Sequence, residues 1–498
     1  MREDWIEIEI NEVANLYQPK TISSKMLVAG GKYPVYGANG IIGNYDHYNH
    51  ENEEFLITCR GATCGNVHIT QPFSWINGNA MVVQPYNKSL LSLEYLRFVF
   101  SNKGRVQKAI SGSAQPQITR TTLSPIKIPL SPLPEQRAIV AKIEALFSDL
   151  DKGIADLKKA QDQLTIYRQA VLKKAFEGEL TKEWREQQTD LPIANELLDQ
   201  IKEERQKHYE QQIENWKQAV KAWEENGKEG KKPGKPKSLK QFEISEDVKN
   251  DLPDSYNVYS WISLGNLLIE SPQNGLYEPA SKYGSGTSII RIDNFYDGVI
   301  LKEEGFKRVQ LSEEDIQKYS INENEILINR VNSIEYLGKC GLVKQLDERT
   351  VFESNIMRLQ LLNTLINSNY ITLFLSSVLG EKEIRRFAKH AVNQASINQT
   401  DVSITPIPIC SLKEQHQIVQ EIESRLSVCE KVEESISESL EKAKALRQSI
   451  LKKAFEGRLL SKAEVSACKV APDYEPASAL LARIEQSRNE KIKAEKKR

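Results

Sequence analysis

The most specific chemistry in this sequence belongs to planar amides and guanidiniums set in turn-rich stretches. An Asn or Gln amide can bond adenine through two parallel hydrogen bonds, and an Arg guanidinium can do the same to guanine. In the N-terminal part these residues are Asn39, Asn44, Arg60, Asn77, Asn79, Gln115 and Gln117, with Tyr36 and Tyr45 able to pack on sugars or bases. In the C-terminal part they are Asn294, Arg330, Asn332, Asn393 and Gln394. Lys103, Arg105, Lys108, Arg385, Arg386 and Lys389 suit phosphate contacts, which position a duplex without specifying its sequence. Between Arg97 and Lys127 every charged residue is basic: Arg97, Lys103, Arg105, Lys108, Arg120 and Lys127. The competing reading of a loop Asn or Arg is that it caps its own backbone. For the basic stretch the competing reading is a solvated surface.

Other chemistry is hard to find. There is no G-x-x-x-x-G-K-[S/T] phosphate loop and no Asn-Pro-Pro-aromatic tetrapeptide of the kind amino-methyltransferases carry. The 6 histidines form no Ser/His/Asp or Cys/His arrangement with their neighbours. The 6 cysteines are scattered; Cys59 and Cys64 lie close, but no second Cys/His pair sits at zinc-finger spacing, so no metal site is expected. Scattered cysteines suit reduced thiols in a cytoplasmic protein. The acidic start, MREDWIEIEI, lacks the apolar run of a signal peptide, and no stretch is apolar enough to cross a bilayer. A formal net charge of −1 conceals the basic stretch, while 27% charged residues suit exposed helices and linkers.

The elements that must position those side chains fall into two unlike globular parts, 1–130 and 251–410. In the first, Glu53–Thr58, Asn66–Thr70 and Ala80–Gln84 read as strands, and Asn39-Gly40 within Gly31–Tyr45 as a hairpin turn. A helix is expected from Leu93 to about Ile110. The second part echoes the first weakly: Trp5-Ile6 with Trp261-Ile262, Glu54-Phe55-Leu56-Ile57 with Glu325-Ile326-Leu327-Ile328, and Asn79-x-Met81 with Asn355-x-Met357.

Each globular part is followed by a stretch that the chain repeats without a gap. Leu133–Leu180 matches Leu412–Leu459; Gln136 pairs with Gln415 and Gly178 with Gly457, a constant offset of 279 residues. Ile139, Ile143, Leu146, Leu150, Ile154, Leu157, Leu164, Tyr167 and Val171 form one narrow apolar stripe, as in a coiled-coil seam. Such a helix would run roughly 60 Å at 1.5 Å per residue. The economical partner for each copy is the other, packed antiparallel; covering its own domain is the alternative. Ser411-x-x-Glu414 is a capping box, Pro132 and Pro134 mark the other start, and Gly178 and Gly457 sit at C-caps. Segments 131–180 and 411–460 are thus the repeated helices. Segment 181–250 is a charged helix with a Lys/Gly/Pro linker, and 461–498 is a tail that echoes its helix.

A one-residue insertion turns a helix by about 100°, so an ungapped helix between divergent domains reads as a ruler carrying two different readers. Over nearly its whole length the chain resembles the specificity subunits of type I restriction–modification systems. The resemblance lies in LSPLPEQRAIVAKIEALF with VLKKAFEGELT, repeated as SLKEQHQIVQEIESRL with ILKKAFEGRLL, and in YPVYGANGIIGNY. It implies an α+β fold in which two mixed α/β target-recognition domains are separated by two long antiparallel helices in a coiled coil, with pseudo-two-fold repeat. It further implies a non-catalytic subunit that reads a split site on double-stranded DNA. That subunit would dock two modification (methyltransferase) subunits that bind S-adenosylmethionine and methylate adenine. Restriction subunits using ATP and Mg would add translocation and cleavage. The second start, SLKEQ, departs from the family's PLPEQ. A single-chain methyltransferase or nuclease, and a coiled-coil scaffold that reads nothing, are the alternatives.

Overall fold

The computed structural model describes residues 2–38, 40–112, 115–191, 194–238, 240–254, 259–296, 298–300, 305–392 and 394–495. Three long helices are α1 (Leu133–Phe176), α2 (Ala194–Glu225) and α3 (Leu412–Phe455). The two copies of the repeat, α1 and α3, have the same length of 44 residues. The chain divides into two compact units, residues 1–160 with 435–498 and residues 161–434. Each repeated helix therefore gives one end to each unit.

In the first unit a four-stranded sheet runs in the order Ala14–Tyr17, Ala80–Pro85, Phe55–Thr58, Val67–Ile69, all antiparallel. Its two central strands, Ala80–Pro85 and Phe55–Thr58, read as apolar runs because both faces are covered. Phe55, Ile57, Met81 and Val83 face Leu96, Val99 and Phe100 of the helix Leu93–Ser101. Leu56, Ala80 and Val82 face Tyr36 and Ile76, which come from a second, three-stranded sheet (Gly40–Tyr45, Tyr33–Gly37, Trp75–Ile76). The helix expected to reach Ile110 breaks at Asn102, which is extended (φ −73, ψ 103), and resumes at Lys103–Val106. The Gln448 amide of α3 serves the freed backbone on both sides: its Oε1 accepts from Lys103 N at 3.2 Å and its Nε2 donates to Ser101 O at 3.3 Å.

The same core takes in Ile139 and Ile143 of α1 and Ile450, Leu451, Ala454 and Phe455 of α3. Arg447 pairs with Asp151 and lies 4.8 Å from the Phe147 ring centroid. Residue numbers rise along one helix as they fall along the other, so the pair is antiparallel here. The tail helix, Ala477–Glu495, closes this core with Ala477, Leu480 and Ile484.

The second unit repeats the plan with a six-stranded sheet: Gln273–Asn274, Ile356–Leu359, Ile326–Asn329, Cys340–Leu342, Gly298–Ile300, Phe295–Tyr296. Ile326, Ile328, Met357 and Leu359 face Tyr370, Ile371, Phe374 and Leu375 of the helix Ser368–Leu375, which Asn367 caps through Asn369 N and Tyr370 N. Ile57 pairs with Met81 in the first unit and Ile328 with Met357 in the second, so the weak sequence echoes are one strand pair built twice. Phe176 of α1 lies 5.3 Å from Tyr370 and 5.2 Å from Phe374, and Ile418 and Ile422 of α3 join the same core. Arg168 reaches Glu433 at 2.9 Å, again antiparallel.

Both readings of the stripe therefore hold. The helix ends close domain cores, while Ile154, Leu157 and Leu164 between them are half-buried and Tyr167 is 45% exposed. A pair of helices has only one mutual seam and leaves the rest of each surface open. The expected capping box is half formed: Ser411 Oγ accepts from Glu414 N at 3.3 Å, but the Glu414 carboxylate turns to Thr181 (2.9 Å), Arg185 (2.8 Å) and Tyr259 (3.2 Å) instead. The segment after α2, expected to be a linker, is folded back on that helix.

Candidate nucleic-acid interface

In the first unit the C-terminal end of strand Phe55–Thr58 gathers three of the predicted side chains. Cys59 N donates to Asn79 O and Ile118 N to Cys59 O, each at 2.9 Å, and Arg60 bridges Gln117. Arg60, Asn79, Gln115 and Gln117 are all exposed, and Ser111 bridges Gln117. Ala38 O accepts from Thr58 Oγ1 at 2.6 Å and Thr63 Oγ1 at 3.1 Å, which brings the tip of the Tyr33–Tyr45 hairpin to the same place. A Cβ on Gly40, whose φ is +83, would meet the His68 ring at 3.7 Å; burial lowers the His68 pKa, which favours the neutral imidazole. Asn39, next to Gly40, lies outside the described residues.

Other predicted residues have structural work. Asn77 is buried: its Oδ1 accepts from Ile22 N at 2.9 Å and Trp75 Nε1 at 3.2 Å, and its Nδ2 faces Ile22 O at 3.4 Å. That amide is enclosed and cannot meet a base edge. Tyr36 is buried and its hydroxyl accepts from Gln71 N at 3.0 Å. Asn44 and Tyr45 are half-buried at the far end of the hairpin, where the Tyr45 ring packs edge-on against Trp75 and His47. Lys103 and Lys108 are exposed. Arg105 is half-buried with its guanidinium on Lys127 O, and burial lowers its pKa. With Lys108, Lys127 and Lys452 it lines a cavity of about 610 Å³.

The second unit builds the same frame. Arg330 N donates to Asn355 O and Ile397 N to Arg330 O, each at 2.9 Å, so Arg330 occupies the place of Cys59. Its side chain is held by Ser354 O at 3.0 Å. The isolated bridges of the first unit become a three-stranded ribbon, Val331–Asn332, Gln394–Ser396 and Lys389–Ala391. The ribbon brings Asn332, Gln394 and Lys389 together; Gln394 and Lys389 are exposed, while Asn332 is half-buried with its Oδ1 on Ser333 N at 2.8 Å. Asn393 lies outside the described residues.

Three second-unit candidates already have partners within the chain. Asn294 caps its own turn, its Oδ1 accepting from Arg291 N at 2.9 Å. Arg385 donates to Leu337 O at 2.6 Å and pairs with Glu381 at 2.9 Å. Arg386 holds both oxygens of the buried Glu383 at 2.6 Å and pairs with Asp251 at 2.8 Å. Two neutralised guanidiniums have little charge left for phosphate. The sequence reading passed over the exposed apolar side chains beside each cluster: Ile41 and Ile42 on the first hairpin and Val392 at the ribbon turn, 91% exposed. Two adjacent isoleucines within a polar hairpin were the available signal. Among the described residues no group of three or more His, Cys, Asp or Glu is placed to hold a metal, and no helix is long and apolar enough to cross a membrane.

A duplicated frame that presents unlike polar side chains beside paired helices defines a two-reader recognition protein. Residues 2–159 and 271–442 match the family described as Type I restriction modification DNA specificity domain. The chain therefore belongs to this family, whose domain it carries twice, and its function is DNA recognition within a type I restriction–modification system. The EcoDI specificity subunit of Escherichia coli is 24% identical over 499 residues, covering 99% of this chain and 95% of that one. The EcoKI specificity subunit of Escherichia coli K12 is 23% identical over 396 residues, 79% of this chain and 69% of that one. A chain from a solved structure concerned with assembly of a type I R-M system shares the fold, with a TM-score of 0.60 at 16% identity, covering 92% of this chain and 99% of that chain.

Proposed function

We propose that the two units each read one half of a split DNA site, that α1 and α3 set the gap between the halves, and that this chain performs no catalysis itself. The observation that carries the reading is the shared frame. Cys59 with Asn79 and Ile118, and Arg330 with Asn355 and Ile397, make the same backbone bonds, yet the side chains offered beside them differ. One frame with two side-chain sets suits an asymmetric bipartite target. Two modification subunits would supply S-adenosylmethionine and methylate adenine, and restriction subunits would supply ATP- and Mg-dependent cleavage, with the assembly working in the cytoplasm. Docking of the modification subunits is supported by apolar side chains left open on the paired helices of the second unit: Ile166 (69% exposed), Tyr167, Val428 (60%) and Val432 (42%).

The test is to map methylated sites in cells that co-express this chain and its modification partner. A split motif is expected, and exchanging residues 1–130 should change one half only. Inserting four residues near Lys158–Gln163 should alter the gap or abolish methylation with both half-site preferences kept. Altered half-site bases with an unchanged gap would contradict the ruler. Methyl transfer by the isolated chain would favour a single-chain enzyme, and no sequence enrichment from randomised DNA would favour a scaffold.

A further inference from the structure

The lysine-rich segment after α2 has more order than its composition suggests. Positive φ at Gly227 (72°), Lys228 (62°) and Gly230 (80°) turns the chain sharply at the end of α2. The segment then runs back along the helix. Trp216 and Trp223, two turns apart and so on one face, donate their indole N–H groups to Pro233 O at 3.0 Å and Gly230 O at 3.2 Å. Arg205 reaches Lys240 O at 3.4 Å further down. Pro233 and Pro236 fix φ at about −65° at two points and lack N–H groups that could pair elsewhere. The ammonium groups of Lys232 and Lys235 lie 5.9 Å from the ring centroids of Trp223 and Trp216.

Charge separates this strand from the helix beneath it. On α2 the lysines are matched by acids within a turn: Lys202 with Asp199, Lys207 with Glu203 and Glu204, Lys217 with Glu214, and Lys221 with Glu225. On the strand Lys228, Lys231, Lys232, Lys235, Lys237 and Lys240 are all exposed, and Glu229 is the one acid among them. None of the six has an ion pair among the described residues. An extended strand places Lys235 and Lys237 about 6 Å apart. A duplex offers one charge per roughly 1.7 Å of its axis, so several phosphates fall within reach of such a row. At its far end the strand meets the second domain: Lys237 and Pro236 share a cavity of about 530 Å³ with Gln212, Glu270, Ser271, Gln273 and Gln399, and the Glu270 carboxylate accepts from Gln212 Nε2 at 3.0 Å. Gln399 follows shortly after Gln394 of the recognition ribbon.

We propose that this strand is a phosphate clamp, in which Lys231, Lys232, Lys235 and Lys237 grip the backbone of duplex DNA beside the half-site read by the second unit. The proposal rests on the DNA-recognition reading and adds to it a sequence-independent contact. A strand already tied to its helix loses little freedom on binding, which favours a net gain in affinity.

The experiment uses the full chain with its partner subunits, a mixed-sequence duplex and a duplex carrying the methylated motif, followed by fluorescence anisotropy across a salt series. Replacing all four lysines by Gln should weaken both duplexes equally, on the order of tenfold to a hundredfold, and lower the slope of log affinity against log salt by about 2 to 4. The four-Arg variant should stay within about twofold of the parent, and the methylated motif should not change. An unchanged slope overturns the clamp. So does a loss confined to one base sequence, or loss of partner co-purification with DNA affinity intact, which would assign the strand to an acidic protein surface. If the parent complex shows no sequence preference while the Gln variant still lowers the slope, the recognition reading falls and the clamp stands.

Discussion

Both units bury a carboxylate at the start of a repeated helix, but they neutralise it with arginines from unrelated parts of the chain. In the first, Glu135 accepts from Arg2 Nη1 at 3.0 Å and Trp5 Nε1 at 2.9 Å, and its Oε1 has no partner among the described residues. In the second, Glu414 takes Arg185, Thr181 and Tyr259 together. Each arginine also bonds the carbonyl of the other helix's C-cap glycine: Arg2 Nε to Gly457 O at 2.8 Å, and Arg185 Nη2 to Gly178 O at 3.0 Å. The sequence motifs Pro-Glu-Gln or Lys-Glu-Gln at one helix start and Phe-Glu-Gly at the other helix end are thus two sides of one joint. What the repeat preserves is the joint, and any cation that reaches it will serve.

The sharpest way to break this equivalence is to remove the cations one at a time. Arg2→Ala leaves Glu135 with a single indole N–H and should cost about 3–5 kcal/mol, the usual penalty for a buried charge stripped of its partner. Arg185→Ala leaves Glu414 two hydroxyl donors and should cost less, about 2 kcal/mol. Urea denaturation of each variant measures the difference, and Arg2→Ala combined with Glu135→Gln should recover part of the loss. Equal costs would mean that the hydroxyls around Glu414 contribute nothing.

The recognition clusters should separate the units by sequence instead of stability. Arg60→Ala should relax one half of the methylated motif, and Gln394→Ala the other, each by about 1–3 kcal/mol of discrimination against the wrong base. Methylation mapping of the two variants checks this. A change in both halves from one substitution would show that the units do not read independently. Neither substitution should change the unfolding free energy measured in urea by more than about 0.5 kcal/mol, since both side chains are exposed.

The ruler was far more legible in the sequence than the readers. The matching lengths of α1 and α3 follow from a periodic stripe and glycine caps, which are local signals. Asn77 and Asn79 look alike in the sequence, and what separates them is the Ile22 segment, 55 residues away, folding across Asn77. Arg385 and Arg386 looked like phosphate ligands because Asp251 and the backbone of Glu335 and Leu337 approach them only in the fold. Cys59 and Arg330 lie two residues beyond the matched Ile57 and Ile328, at the same offset, but their unlike residue types gave no hint that they occupy one place. The lysine segment reads as a linker in the sequence because the contacts that tie it down come from tryptophans on the preceding helix.

The same comparison extends to a surface pair. At the 279-residue offset Arg185 corresponds to Glu464, so one helical position carries opposite charges in the two copies. Arg185 turns inward to Glu414; Glu464 turns outward, and Lys142 at 2.7 Å, helped by Ser461, pulls its pKa down from 4.5 to about 2. A carboxylate whose pKa is depressed on folding contributes stability that is fully present above its unfolded value. That contribution fades as pH falls from about 4.5 towards 2. Lys142 and Glu464 are both about a third or more exposed, so solvent screening holds the whole contribution below about 1 kcal/mol. Thermal unfolding of the parent and of Glu464→Gln should therefore differ slightly at pH 6 and converge by about pH 2. A difference that persists at pH 2 would mean that the helix Lys462–Lys469 is held to α1 by something other than this charge, and that the outward-turned position in the first unit has no electrostatic counterpart to the joint in the second.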